Sequence, residues 1–109
     1  MTESHKIPIL GITPTQFKMI QHVLEKNVPM FEVWAFGSRV TGNVKPYSDL
    51  DLAIINQQPL SLEITANLTN DFSESDLPWK VDVVDWACTS EQFKEIIKKQ
   101  FVVIQQSTP

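Results

Sequence analysis

The sequence has one cysteine among 109 residues and no long apolar run, and each shortage excludes a class of protein. A lone cysteine, Cys88, cannot form an internal disulfide framework and is typical of a chain kept in a reducing compartment. No apolar stretch approaches the roughly 18 residues that a membrane-spanning helix requires. Residues 1–6 contain no basic stretch leading into an apolar segment, so they do not resemble a secretory signal. We therefore expect a soluble, cytoplasmic protein.

Basic residues are also scarce, since nine lysines and arginines stand against 13 acidic residues and leave a net charge of −4. Nonspecific nucleic-acid binding depends on neutralising several phosphates at once, so we expect no extended nucleic-acid surface. A single nucleotide remains compatible with this charge, because one metal ion and a few local cations can neutralise a triphosphate. Arg39 is the only arginine in the chain.

The pattern of apolar residues predicts one domain at residues 13–109, preceded by an N-terminal arm at residues 1–12. Helical spacing and capping residues predict helices, and runs of β-branched and aromatic residues predict strands. The predicted helices are residues 14–26, residues 61–73, and a final helix that begins with a capping box at Thr89 and includes Phe101. The predicted strands are residues 31–36, 49–55 and 80–85. Residues 102–104 are assigned as an apolar tail.

A short helical segment follows Gly37, and Gly42 is able to end it. With this segment the predicted order is α-β-α-β-α-β-α, and no internal repeat or linker divides the chain. The order indicates an α+β fold, in which a small mixed β-sheet is flanked by helices.

The most informative motif is Gly37-Ser38, followed after ten residues by Asp49-x-Asp51. At average composition, a chain of this length contains such a spaced pattern by chance about once in a thousand. The Gly-Ser pair follows one predicted strand, and the two aspartates open the next. The motif therefore predicts a single site built at the ends of two strands.

The two aspartates are suited to binding a metal ion. Side chains alternate along a strand, so Asp49 and Asp51 project from the same face with their Cα atoms about 6.5–7 Å apart. Two unpaired carboxylates 4 Å apart repel each other by about 4 kcal/mol at an effective dielectric constant near 20. A hard divalent cation relieves this repulsion, and Mg²⁺ is the natural occupant of an oxygen-ligand site.

Four residues near the aspartates are candidates for nucleotide binding. Gly37 lets the backbone approach a ligand closely, and Ser38 offers an amide and a hydroxyl to a phosphate. Arg39 is a further candidate for a phosphate contact, with a solvated helix position as the alternative. Ser48 either touches the nucleotide or only shapes the loop. A metal that bridges carboxylates to a bound phosphate is the arrangement that phosphoryl transfer needs.

A two-ion site needs a third carboxylate, and the third predicted strand contains two candidates. Asp82 interrupts a run of valines, where an aspartate is disfavoured unless it has a task. Asp85 lies nearer the end of the strand, where an exposed carboxylate needs no explanation. We therefore predict Asp82 as the third acidic residue and keep Asp85 as the alternative.

These motifs together resemble the minimal nucleotidyltransferase (MNT) family of the DNA polymerase β superfamily. The resemblance is carried by residues 37–42, residues 47–52 and the run Val81-Asp82-Val83-Val84. The family pattern of Gly-Ser, ten residues and Asp-x-Asp is matched without a gap. The resemblance extends over essentially the whole chain.

The resemblance implies a nucleotidyltransferase fold and a role for each motif residue. It implies that Asp49 and Asp51 hold Mg²⁺, and that Asp82 completes the metal site and helps activate the acceptor hydroxyl. It also implies that Gly37 and Ser38 contact the phosphates of the nucleotide.

Many short chains of this family are the antitoxin half of HEPN/MNT toxin–antitoxin modules. For such a chain the resemblance implies transfer of AMP from ATP to a tyrosine of an all-helical HEPN ribonuclease, with which the chain forms a hetero-oligomer. Larger relatives, such as the aminoglycoside nucleotidyltransferases, carry an additional helical domain that binds the acceptor. This sequence has no residues left for such a domain, so we expect either that another subunit supplies the acceptor platform or that the substrate is large enough to dock directly.

Two alternative functions stay open at this point. One is a non-catalytic, nucleotide-binding subunit that neutralises or regulates a helical partner by complex formation alone. The other is a nucleotidyltransferase that modifies a small molecule of the aminoglycoside type.

Overall fold

A computed structural model of the protein describes Ile9, residues 11–45 and residues 47–107. The helices are α1 (Pro14–Asn27), α2 (Ser38–Thr41), α3 (Leu62–Ser73) and α4 (Glu91–Lys99). The strands are β1 (Glu32–Phe36), β2 (Leu50–Ile55), β3 (Val81–Asp85) and β4 (Val102–Gln105). Most of the N-terminal arm predicted at residues 1–12 lies outside the described residues. Among the described helices, none is long and apolar enough to cross a bilayer.

The four strands form one sheet in the order β3-β2-β1-β4. β1 pairs antiparallel with both β2 and β4, whereas β2 and β3 are parallel. A parallel pair needs a crossover connection, and α3 supplies it between β2 and β3. The structure confirms the predicted small mixed sheet flanked by helices.

The first helix begins as its sequence predicts. The Thr13 hydroxyl accepts a hydrogen bond from the Gln16 amide at 3.1 Å, and the Thr13 amide donates to the Gln16 side chain at 3.0 Å. This capping box satisfies amides that a helix start leaves without intrahelical partners. Ile20 and Leu24 then form the buried side of α1.

The end of the chain differs from the prediction in two respects. Residues 102–104, assigned from sequence as a tail, belong to β4, which pairs with β1. The last helix is capped by Ser90, whose hydroxyl accepts from the Phe93 amide at 3.1 Å, and it ends at Lys99. The predicted cap, Thr89, instead donates its hydroxyl to the Asp85 carbonyl oxygen at 2.8 Å. Phe101 therefore lies outside the helix.

One face of the sheet is covered by α1 and α3, and we call it the closed face. The β2 residues Leu50, Leu52 and Ile54 point to this face and have no exposed surface. They pack with Val33 and Ala35 of β1 in the main apolar core. Burial of such side chains supplies most of the favourable free energy of folding in a small domain.

The opposite face is only partly covered, and we call it the open face. Ile97 of α4 is buried there against Phe36 and Ala53. Trp34 stacks on Phe101, with ring centroids 3.9 Å apart and planes inclined by 16°. This smaller cluster anchors α4 at one end of the face and leaves the other end open.

Candidate active site

Gly37 joins β1 to α2 and lies directly against a carboxylate of β2. Its backbone has a φ of 84°, a value that side-chain-bearing residues rarely adopt. A Cβ atom at this position would overlap the carboxylate of Asp51. The Gly37 carbonyl oxygen also accepts hydrogen bonds of 2.9 Å from the Val40 and Thr41 amides, which form α2. Gly37 is thus required for both its conformation and its lack of a side chain.

Asp51 and Asp82 are neighbours across the parallel pair of strands β2 and β3. They are register partners, and both point to the open face. Burial, followed by the negative charges of Asp82 and Asp49, raises the pKa of Asp51 to about 6. The structure therefore places Asp82 on the face that the sequence prediction requires, beside a carboxylate that is costly to ionise. Its catalytic role stays a prediction.

Asp49 lies one residue before β2, and its side chain is exposed. Its charge contributes to the raised pKa of Asp51, which shows that the two carboxylates interact. Among the described acidic residues, Asp49, Asp51 and Asp82 form one electrostatically coupled group at the same end of the sheet.

The alternative third carboxylate, Asp85, has a different environment. One of its oxygens accepts a hydrogen bond from the Leu60 amide at 2.8 Å, and the other accepts from the Ala87 amide at 3.1 Å. Asp85 lies three residues after Asp82, so it points to the closed side of the strand. Its carboxylate caps the short 3-10 helix Trp86–Cys88 and does not face Asp51.

Lys80 forms the ion pair nearest the carboxylate group. Its ammonium nitrogen lies 3.3 Å from a carboxylate oxygen of Asp82, and the Lys80 side chain is 73% exposed. Exposed ion pairs contribute about 0–1 kcal/mol, because water and salt screen them. Asp82 is therefore readily available to another cation.

Arg39 is the sequence's candidate for a phosphate contact, with a solvated helix position as the alternative, and the structure excludes the solvated position. The residue is 1% exposed, and its Nε donates to the Ser48 carbonyl oxygen at 2.9 Å. Its guanidinium also lies 4.6 Å from the centre of the Trp79 ring. Burial lowers the pKa of Arg39, although the charge of Asp49 opposes this. These contacts hold the segment before Asp49 against α2. A phosphate contact by Arg39 stays a prediction.

The two serines of the predicted site occupy different positions. Ser38 is the first residue of α2 and directly follows Gly37. The Ser48 hydroxyl accepts from the Lys45 amide at 2.8 Å, and the Ser48 amide donates to the Lys45 carbonyl oxygen at 3.0 Å. Ser48 thus closes a tight turn. Nucleotide binding by either serine stays a prediction.

A cleft of about 660 Å³ opens over the carboxylates. It is lined by Phe36, Gly37, Thr41, Asp51, Asp82, Val84, Phe93, Ile96, Ile97, Lys99 and Gln100. The sequence predicted three of these residues as functional, whereas the wall contributed by α4 was missed. Phe93 and Ile96 share one face of the last helix with Ile97 by their helical spacing, yet they are 38% and 60% exposed. The sequence offered no signal for this wall, because the exposed and the buried apolar residues of α4 follow the same helical spacing.

The carboxylates fit a magnesium ion that is shared with a nucleotide. Within residues 9, 11–45 and 47–107, no three acidic, histidine or cysteine side chains form a metal cage of their own. Mg²⁺ is usually held by one or two carboxylates, with phosphate oxygens and water at its other positions. The unrelieved repulsion between Asp51 and its acidic neighbours is the condition that such a cation removes.

Comparison with known sequences decides the family. Residues 18–108 match the family described as "Polymerase beta, Nucleotidyltransferase". The chain belongs to this family.

Individual relatives of this nucleotidyltransferase agree with that assignment. The chain is 54% identical over 97 residues to the probable protein adenylyltransferase MntA of Haemophilus influenzae, covering 89% of this chain and 85% of the relative. A toxin–antitoxin crystal structure with AMP-PNP matches with a TM-score of 0.70 and 24% identity, covering 84% of this chain and 74% of the other.

A complex of a tri-AMPylated Shewanella oneidensis HEPN toxin with its MNT antitoxin also matches. Its TM-score is 0.63 at 24% identity, with 84% of this chain and 70% of the other covered. Together these matches confirm the predicted family resemblance and the nucleotidyltransferase fold.

Proposed function

We propose that this nucleotidyltransferase transfers AMP from ATP to a tyrosine hydroxyl of an all-helical HEPN toxin and so acts as the antitoxin of that toxin. The observation that carries the proposal is the placement of Gly37, Asp51 and Asp82 in one cleft. Two comparisons support the choice of reaction. The relative at 54% identity is named a probable protein adenylyltransferase, and one structural neighbour is bound to an AMPylated HEPN toxin.

In the proposed reaction, the acceptor oxygen forms a bond to the α-phosphorus of ATP, and the bond from that phosphorus to pyrophosphate breaks. The backbone at Gly37, together with Ser38, positions the phosphates, because the absent side chain lets them approach the carboxylates. Asp82 takes the proton of the acceptor hydroxyl. Mg²⁺ bound at Asp49, Asp51 and Asp82 together with the phosphates would stabilise the negative charge on the transferring phosphoryl group.

The cytoplasmic location and the hetero-oligomer with a HEPN partner belong to the same proposal. ATP is abundant in the cytoplasm, and the lone Cys88 suits a reducing compartment. The exposed side of the cleft leaves the carboxylates accessible to a hydroxyl presented by a second protein.

The test is transfer of AMP to a purified HEPN protein, measured by intact mass after incubation with ATP and Mg²⁺. We expect Asp82→Asn to slow transfer by at least about a hundredfold, as the loss of one transition-state contact typically does. Asp85→Asn is the matched control, since it makes the same chemical change on the same strand but away from the cleft. We expect it to lower stability by about 1 kcal/mol through one lost hydrogen bond and to leave transfer by the folded protein intact.

Equal transfer by the wild type and Asp82→Asn would contradict the assigned chemistry. The non-catalytic alternative predicts a different result, namely that a variant with both Asp49→Asn and Asp51→Asn still neutralises the toxin in a growth assay. If the double variant neutralises fully, complex formation alone accounts for the antitoxin activity.

A further inference from the structure

We propose that Phe93 and Ile96 of α4 form the surface against which the base of the bound nucleotide packs. This inference rests on the proposed function, because it assigns the nucleobase to one wall of the cleft that contains the carboxylates.

The two side chains are apolar and leave part of their surface exposed in the cleft. Ile97 is the one residue of α4 that is buried in the cluster of the open face, with 1% of its surface exposed. Phe93 and Ile96 remain 38% and 60% exposed, and both line the cleft with Asp51 and Asp82. An aromatic and an aliphatic side chain on the same wall are typical of sites that bind the flat, apolar part of a ligand.

The ring of Phe93 is held in a defined position relative to the phosphate site. It packs edge-to-face on Phe36, with centroids 5.8 Å apart and planes inclined by 79°. Phe36 is itself buried and directly precedes Gly37 in the chain. The aromatic wall is therefore fixed to the same strand end that approaches the carboxylates.

The order of the nucleoside and the phosphates along a nucleotide determines which of them can reach Phe93 and Ile96. The reacting α-phosphorus must lie at the carboxylates, with the β- and γ-phosphates on one side and the nucleoside on the other. Gly37 and Ser38 suit the phosphates, so the nucleoside is directed to the remaining wall, which α4 supplies. A cleft of about 660 Å³ lies within the usual size range of small-molecule sites and accommodates a complete nucleotide.

The test separates the base from the phosphates by comparing two ligands in the presence of Mg²⁺. One is α,β-methylene-ATP, which carries the base and resists transfer, and the other is inorganic tripolyphosphate, which lacks the nucleoside. Affinities are measured by titration calorimetry for the wild type, Phe93→Ala, Ile96→Ala and Phe93→Tyr. The control is Leu62→Ala, which removes an apolar side chain that is 89% exposed on α3, away from the cleft.

We expect Phe93→Ala to weaken binding of the nucleotide analogue about tenfold, as loss of a base–aromatic contact typically does. Ile96→Ala should weaken it by a smaller factor, whereas Phe93→Tyr, which keeps the ring, and Leu62→Ala should bind like the wild type. Binding of tripolyphosphate should be the same in all five proteins. Because Ile96 is largely exposed, its variant tests the wall even if Phe93→Ala unfolds.

The inference is overturned if neither alanine variant changes nucleotide affinity, or if both ligands weaken equally. It is also overturned if nucleotide affinity is unchanged while the KM for the HEPN partner rises, which would assign the wall to the acceptor. Failure of the proposed function is distinguishable from these results. If nucleotide binding depends on Phe93 but no AMP transfer occurs, the proposed reaction is wrong and the base-binding surface stands.

Discussion

The two faces of the sheet perform different tasks with alternate residues of the same strand. On the closed face, Leu50, Leu52 and Ile54 of β2 are fully buried under α1 and α3. On the open face of the same strand, Asp51 is half-buried and its pKa is raised by burial and by neighbouring acidic residues. Residues that stabilise the fold and a residue of the cleft therefore alternate along β2. Substitutions on the closed face should change stability, and substitutions on the open face should change activity.

The difference between the faces follows from what covers them. α1 and α3 have 14 and 12 residues, and each presents several apolar side chains to the closed face. α4 has nine residues and buries only Ile97. The open face is thus covered too sparsely to exclude water from its carboxylates, and the uncovered part is the cleft.

The largest expected effect on stability comes from the closed face. Leu52→Ala leaves a cavity in the main core and should lower the free energy of unfolding by about 3–4 kcal/mol. Urea denaturation measures the loss. Transfer activity per folded molecule should stay near that of the wild type, because Leu52 points away from the cleft. If the activity of the folded fraction falls more than about tenfold, the two faces are coupled and the separation fails.

A smaller loss is expected from the buried arginine that links the two motifs. Arg39→Met keeps the apolar stem but removes the hydrogen bond to Ser48 and the contact with Trp79. We expect a loss of about 2–3 kcal/mol in the free energy of unfolding, since a carbonyl oxygen is left without its charged donor. The affinity for tripolyphosphate, measured where the variant is fully folded, should be unchanged. A selective loss of tripolyphosphate affinity in Arg39→Met would instead support the phosphate contact that the sequence suggested for Arg39.

The smallest expected effect on the free energy of unfolding is an increase. Asp51→Asn should abolish transfer yet stabilise the metal-free protein at neutral pH by about 1–2 kcal/mol, a figure reduced for partial solvent exposure. Because folding raises the pKa of Asp51 to about 6, the folded state binds a proton more tightly than the unfolded chain. Ionisation of Asp51 therefore costs stability progressively as the pH rises from about 4 to above 6.

Urea denaturation in the presence of EDTA, repeated from about pH 4 to about pH 7, measures the predicted stability difference. The stability difference between Asp51→Asn and the wild type should be near zero below about pH 4 and fully developed above about pH 7. Taking the difference between the two proteins cancels the contributions of the carboxylates that are remote from Asp51. A variant that is less stable than the wild type at pH 7 would show that the carboxylate stabilises the fold and is not strained by it.

The sequence was sufficient for those parts of the fold and site that depend on local patterns. The capping box at Thr13 located α1, and the alternation around Asp51 located β2 with its two faces. The choice of Asp82 as the third carboxylate came from the interruption of a valine run in a strand, and its role stays a prediction. Each of these features is encoded within a few consecutive residues, where periodicity and capping act directly.

The parts that could not be predicted depend on partners distant in the sequence. β4 has four residues, too few for a pattern of its own, and it is a strand only because β1 pairs with it. The direction of Arg39 was unpredictable because α2 is a single turn of helix and shows no periodicity. Phe93 and Ile96 follow a helical apolar pattern, but only the short span of sheet beneath α4 determines which of them is buried.

The pairing of β4 with β1 has a consequence for the kinetics of folding. β1 lies between a neighbour close in sequence, β2, and a neighbour that follows almost the entire domain, β4. Closing such a long loop costs chain entropy before any contact offsets it, so this pairing should be a late and slow step. Because α4 directly precedes β4, the wall of the cleft is completed in that same step. A newly synthesised molecule should consequently acquire its buried core before it acquires a finished nucleotide site.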